Sequence, residues 1–244
     1  TEALVSELFQ QLKATCAQLG ISLIGGHTEI TAGVSRPLLS GTLIGTAGPT
    51  GLLLPGQAQR GDRLLLARPA GIEGTALLAI ERSRELAEAY GDDFVARAKR
   101  LLHDPGISVV SIARLLLNTG SVTALHDPTE GGVANGVREI AAASGLGAVM
   151  DRNLVPLLEE TATISQHFGI DPLGMLSSGT MLATISAADV DRVVERCNLE
   201  GIQTSIIGKL TSPSSGFHLI ENNLPLELPI FQTDEVTRAL TASA

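Results

Sequence analysis

From Asp62 onward, short β-prone runs and amphipathic helical stretches succeed one another, and this alternation restricts the available folds more than any single motif. Asp62 opens a strand over 63–68. A helix is expected from about Gly74 to Tyr90, stopping at Gly91, and another from Ser108 to Leu117. Val122–Leu125, Ala148–Met150, Thr180–Ser186, Thr204–Lys209 and Phe217–Glu221 read as strands. Helices are expected after Gly132, over Val155–Phe168 with Pro156 in the first turn, and over Ala187–Cys197. The order is not a strict βαβ repeat, so the pattern predicts an α+β, or mixed α/β, architecture. Upstream, Val5, Leu8, Phe9, Leu12, Cys16 and Leu19 recur at three- and four-residue steps, predicting an amphipathic helix over 3–19 with Thr1 as cap and Gly20 as stop. Ile21–Ile24 and Pro37–Ala47 read as strands, and the turn-rich stretch from Gly48 to Gly56 marks a boundary.

Composition removes several function classes. Seventeen Lys and Arg against 26 Asp and Glu leave a net charge of −9, and aromatic residues make up 2% of the chain. A nucleic-acid binder ordinarily shows a basic face with interleaved stacking rings, so a nucleic-acid partner is not expected. At 44% hydrophobic residues the chain has material for a folded core. Cys16 and Cys197 are far apart and in no CxxC spacing, which suggests neither a disulfide framework nor a zinc site and fits a reducing cytoplasm. No apolar run reaches the roughly 18–20 residues of a membrane span, so no membrane partner is expected.

Three segments could carry chemistry. In Gly25-Gly26-His27-Thr28-Glu29, a glycine pair after a β-prone run permits close backbone approach to a ligand, and an imidazole, a hydroxyl and a carboxylate follow. Phosphate or metal contact and a plain solvated turn both remain open there. In His126-Asp127-Pro128-Thr129-Glu130-Gly131-Gly132, a strand leads through a polar turn to paired glycines at a helix start, where N–H groups and the helix dipole favour an anion. Asp127 could hold a divalent cation bridging phosphate oxygens or simply cap the helix, and Thr129 could cap instead. Neither GxxxxGK[ST] nor GxGxxG occurs. The third segment, Ser177-Ser178-Gly179, is a small-residue turn before a strand. His103, His167 and His218 lack partners at ligand spacing, and Cys16 and Cys197 fall on apolar helix faces.

Taken together, the Gly-Gly-His-Thr-Glu turn, Arg68-Pro69-Ala70-Gly71-Ile72-Glu73-Gly74, His126–Gly132 and Asp171-Pro172-Leu173 followed by Ser178-Gly179 resemble the aminoimidazole-ribonucleotide-synthetase-like superfamily. Leu228-Pro229-Ile230-Phe231 with Asp234-Glu235 fits the same pattern, and within the superfamily the hydrogenase-maturation branch is the most similar. The resemblance implies a two-domain fold: a partial N-terminal ATP-binding and dimerisation domain over 1–50, a linker over 51–61, a complete C-terminal α+β domain over 62–232 and a tail over 233–244. It implies ATP with Mg²⁺, a homodimer, a small-molecule substrate, and phosphorylation of a carbonyl or phosphate oxygen. Gly25, Gly26, His27 and Thr28 would face the nucleotide. Asp127, Thr129, Glu130, Gly131 and Gly132 would line the acceptor or phosphate side, with Ser178 and Gly179 closing it. Asp127 and Glu130 would be catalytic, and Asp127 would also bind the metal.

Relatives add an Asp-rich magnesium-holding segment, expected upstream of Thr1. Relatives that dehydrate a carbamoyl thioester carry a terminal cysteine where this chain reads Thr241-Ala242-Ser243-Ala244, which points away from that specific activity. ATP-dependent phosphoryl transfer is the leading expectation. A non-catalytic accessory or dimerisation module is the alternative. A metal-dependent hydrolase using His27, Glu29 and His126 ranks third, because no two of these groups share a helical i, i+4 ligand spacing.

Overall fold

In the computed structural model, which describes residues 2–48 and 52–242, the largely apolar run Arg63–Ala67 (β1) forms an interior strand of a seven-stranded sheet. The other strands are β2 (Val122–His126), β3 (Gly147–Asp151), β4 (Met181–Ile185), β5 (Thr204–Thr211), β6 (Phe217–Glu221) and β7 (Leu224–Glu227). Their order across the sheet is β2-β4-β1-β5-β3-β6-β7. β1 runs antiparallel to both β4 and β5, and the β3–β6 pair is parallel. The helices are α1 (Glu2–Leu19), α2 (Ile72–Glu81), α3 (Ser83–Tyr90), α4 (Asp92–Arg100), α5 (Val110–Asn118), α6 (Gly132–Ala143), α7 (Glu159–Phe168), α8 (Val190–Leu199) and α9 (Glu235–Thr241).

The period-two alternation of strand side chains sorts the core into two faces. Leu64 and Leu66 of β1 pack with Val133, Val137 and Ile140 of α6 on one side. Leu65 and Ala67 pack with Ile112 and Leu116 of α5 and with Val193 and Cys197 of α8 on the other. The leucines of β1 are fully buried, and each such side chain contributes about 1.5–3 kcal/mol of hydrophobic stabilisation. A third cluster joins helices: Leu78 of α2, Leu86 of α3, Phe94 of α4, Ile164 of α7 and Val236 of α9.

The chain divides into two compact units, residues 1–46 and 47–244. In the first, α1 forms as its periodicity predicts, and none of its residues is buried. Ile21–Ile24 and Pro37–Ala47 form no strand. A strand is stable only when its backbone groups are paired, and among the described residues no neighbour pairs with these runs.

In the second unit the stretch expected to be one helix over 74–90 is two, α2 and α3, because Arg82 leaves the helical region at φ −111°, ψ 29°. The helix placed over 155–168 begins only at Glu159. Helix α4 was not anticipated, although Asp92 and Asp93 in its first turn and Lys99 and Arg100 in its last complement the helix dipole. Strand β7 was not anticipated either. Asn222 and Asn223 both adopt positive φ, the signature of a tight hairpin between β6 and β7. Residues 233–242, read as tail, contain α9, whose Val236 and Ala239 are buried. Thr1, Pro49, Thr50, Gly51, Ser243 and Ala244, which include the expected cap and part of the boundary and tail, lie outside the described residues. No described helix is long and apolar enough to cross a membrane.

Candidate functional site

Register places three of the motifs at one edge of the sheet. Ala67, the last residue of β1, pairs with Met181 at the start of β4 and with Thr204 at the start of β5, and His126 at the end of β2 pairs with Leu182. The turns 68–71, 127–131 and 176–180 therefore emerge side by side. Hydrogen bonds join them. The buried Ser177 hydroxyl accepts from the Gly71 N–H (2.9 Å) and donates to the Met175 carbonyl (2.7 Å). The Ser177 N–H donates to the Pro128 carbonyl (3.2 Å), and the Gly74 N–H donates to the Leu176 carbonyl (2.9 Å). The Thr180 hydroxyl donates to the Pro69 carbonyl (2.6 Å). Ser177, a neighbour of the two candidates in its turn, is thus the joint of the assembly.

The glycine pair at α6 does not form the open anion cradle that its sequence suggests. Gly131 and Gly132 both take positive φ, +76° and +63°. The Gly131 N–H donates to Asp234 Oδ2 (2.8 Å), and the Gly132 N–H donates to the Thr129 carbonyl (3.0 Å). A Cβ on Gly132 would lie 2.5 Å from the Leu173 carbonyl oxygen, so the backbones themselves require glycine there. The helix start does attract an anion, as its dipole favours, but the anion is the chain's own Asp234 carboxylate.

Asp234 also accepts from the N–H groups of Val236 (2.8 Å) and Leu176, so it ties α9 and the 176–180 turn to α6. Burial pushes its carboxyl above the ordinary value; these N–H bonds oppose that shift, and the charge of Glu130 adds to it. For the adjacent Glu235, burial alone would raise the pKa. Bonds from Arg238 and from the Asp171 N–H (2.7 Å) outweigh burial and hold the carboxyl below its usual range. Asp171 in turn receives a two-pronged contact from Arg152 (3.1 and 2.8 Å), so the Asp171-Pro172-Leu173 motif anchors α9.

Asp127 and Glu130 are exposed, and Thr129 and Ser178 are partly exposed. Among the described residues no group of three or more His, Cys, Asp or Glu could hold a metal ion by itself. A Mg²⁺ ion at Asp127 would therefore need its other ligands from phosphate oxygens and water. His126 Nε2 lies 2.6 Å from Glu139 Oε2, and its Nδ1 is buried without a partner among the described residues. Gly25, Gly26, His27 and Thr28 belong to the first unit, where all four are exposed and His27 lies 3.8 Å from Glu29.

Arg68 enters the sequence pattern only as the first residue of the Arg68–Gly74 motif, with no site role expected for it. It follows β1 with φ +69°, a left-handed conformation unusual for a long side chain and contrary to the extended preference of a residue before proline. Its Nη1 donates to the carbonyls of Gly106 (3.1 Å), Ser108 (3.2 Å) and Gly179 (3.3 Å). Burial draws the guanidinium below its ordinary pKa. Arg68 lines a cleft of about 690 Å³ with Asp104, Ser111, Leu115, Glu200 and Gln203. A backbone outlier of this kind has no periodicity or composition signal. Asp234 had one, as the acidic residue of a helix-capping pattern, but its partner lies far away in sequence.

Residues 59–220 match the family described as AIR synthase related protein, C-terminal domain. The chain is 29% identical over 195 residues to carbamoyl dehydratase HypE of Cupriavidus necator, covering 78% of this chain and 52% of that protein. Among solved structures, the hydrogenase maturation protein HypE of E. coli superposes with a TM-score of 0.63 at 19% identity, over 78% of this chain and 56% of that one. A HypE structure in complex with ATP superposes with a TM-score of 0.56 at 18% identity, over 75% of this chain and 54% of that one. The chain thus spans just over half the length of these relatives.

Proposed function

The chain belongs to the AIR synthase-related family, and from that premise we propose that it forms part of an ATP-dependent enzyme that transfers a phosphoryl group to, or activates, a small carbonyl or phosphate acceptor. The observation that carries this reading is the stitching of the 68–71, 127–131 and 176–180 turns into one assembly through Ser177. Phosphoryl transfer depends on positioning and charge neutralisation, for which a rigid set of turns bearing carboxylates and hydroxyls is suited. The ATP complex of a structural neighbour supports the nucleotide.

In this reading exposed Asp127 contributes one ligand to a phosphate-bound Mg²⁺, which would neutralise phosphate charge. Glu130 and Thr129 orient the acceptor, Ser178 and Gly179 border it, and the glycine pair sets the backbone path between them. Gly25, Gly26, His27 and Thr28 face the nucleotide, and the protein works as a cytoplasmic homodimer. Isothermal titration of the full chain with Mg-ATP tests the proposal. Saturable heat that Asp127→Ala reduces at least about tenfold, with folding unchanged, is the expected result. Unchanged affinity in Asp127→Ala would remove Asp127 from the site.

One observation favours a second reading, a non-catalytic accessory or dimerisation module: the N–H groups of Gly131 and Gly132 are already bonded within the chain. No heat with Mg-ATP from a folded, dimeric chain would select it.

A further inference from the structure

The side chain of Arg68 has two edges in different situations. Its Nη1 is consumed by three backbone carbonyls, which fix the plane and direction of the guanidinium. Its Nε and Nη2 hydrogens have no partner among the described residues, and no carboxylate there forms an ion pair with it. A partly desolvated, pre-oriented guanidinium with its side-on edge unused is suited to bidentate capture of a planar oxyanion. The residue holds this pose despite left-handed backbone strain, and strain of that kind concentrates at ligand-binding sites.

The surroundings narrow the class of ligand. The cleft of about 690 Å³ falls in the range of roughly 300–1,000 Å³ typical of small-molecule sites. Its walls include the apolar Pro69, Leu115, Leu158 and Ile202. Asp104 and Glu200 line it as well, and Glu200 is partly offset by Arg196 at 2.8 Å. Two carboxylates and one guanidinium on the lining of one cleft oppose a polyanion and favour a ligand that brings its own positive charge.

We propose that the cleft beside Arg68 binds an amino-acid-like zwitterion with an apolar side chain, its carboxylate on the Nε–Nη2 edge of Arg68 and its ammonium toward Asp104 and Glu200. This site does not depend on nucleotide binding, so it stands or falls apart from the ATP reading.

The test is NMR titration of the full chain, following the arginine Nε–H resonances, with L-norleucine as probe and hexanoate and inorganic pyrophosphate as controls. The Arg68 resonance is identified by its loss in Arg68→Lys. Saturable movement of that resonance alone with norleucine, at least about tenfold weaker binding of hexanoate, and weaker binding of pyrophosphate are expected. Affinity, read from the accompanying backbone amide shifts, should fall at least about tenfold in Arg68→Lys, which keeps the charge but loses the fork. Because that substitution also removes three loop tethers, Ser111→Trp provides a second variant, filling the cleft from an exposed position on α5 while leaving Arg68 in place. Absence of saturable movement, equal binding of hexanoate, tighter binding of pyrophosphate, or undiminished affinity in folded Ser111→Trp would each overturn the proposal.

Discussion

A Cβ added to Gly25 or Gly26 would meet nothing within 4 Å, whereas one added to Gly132 would lie 2.5 Å from one carbonyl oxygen and 2.6 Å from another, those of Leu173 and Met175. The first doublet directly follows a β-prone run and precedes polar residues, the second follows a strand and a polar turn and opens a helix, and in sequence both invite ligand contact. The second doublet is glycine because two backbone segments meet there and because φ is positive at both residues. The first, in an exposed segment, has neither reason within its own unit. A glycine pair therefore marks either a packing constraint or an accessible backbone, and only its neighbours distinguish the two.

Substitution should separate the doublets most sharply. Gly132→Ala combines a left-handed conformation with a clash against backbone atoms that cannot swing aside, and should cost about 3 kcal/mol or more. Urea denaturation would read this loss, and a midpoint near wild type would contradict the packing explanation. Asp234→Ala should come next, at about 2–3 kcal/mol, by leaving the N–H groups of Gly131, Leu176 and Val236 without their acceptor. Hydrogen exchange at Gly131 and Leu176 should accelerate with it, while exchange in α5 should not.

Acid titration probes the same corner more gently. Glu235 is held below its ordinary value, so its contribution is present above the unfolded pKa of about 4.3 and is lost as pH falls through the lower folded value. Asp234 is shifted upward, so its contribution has the opposite sign: it is fully present below the unfolded pKa of about 3.9 and disappears as pH rises through the folded value. Glu235→Gln should therefore flatten the acid limb of a stability–pH curve, whereas Asp234→Asn should steepen it. Parallel curves for wild type and Glu235→Gln would show that Arg238 and Asp171 do not hold the carboxylate as described. The smallest effect is expected at the first doublet, where Gly26→Ala should change stability by no more than about 0.5 kcal/mol in the same denaturation experiment.

Much of the second unit was legible because its signals are local. The β1 run, the periodicity of α6 and a strand over Val122–Leu125, observed as Val122–His126, all follow from residue order, since each element carries its own periodicity and turn signals. Misses arose where a distant partner decides. Residues 21–24 and 37–47 have β-prone composition but no strand to pair with. Residues 235–241 look like a tail in sequence, but the N–H groups of Gly131 and Leu176 donate to Asp234 and that of Asp171 donates to Glu235, which fixes the segment to distant turns. The one-helix expectation for 74–90 failed because the 3.6-residue period continues across Arg82 although the backbone does not.

What the sequence by itself determined is the α+β class, most of the strands and helices, the exclusion of a basic, aromatic-rich binding face, and the membership implied by an ordered set of motifs. These rest on short-range regularities: periodicity, turn residues and charge. What only the tertiary structure decided is the use each motif is put to. It assigned the α6 N-terminus to Asp234, made Ser177 the joint between three turns, and left one edge of the Arg68 guanidinium without a partner among the described residues, beside a cleft. Hydrogen-bond partners and steric neighbours depend on which chain segments meet in space, and the segments that meet here lie about 40 to 110 residues apart.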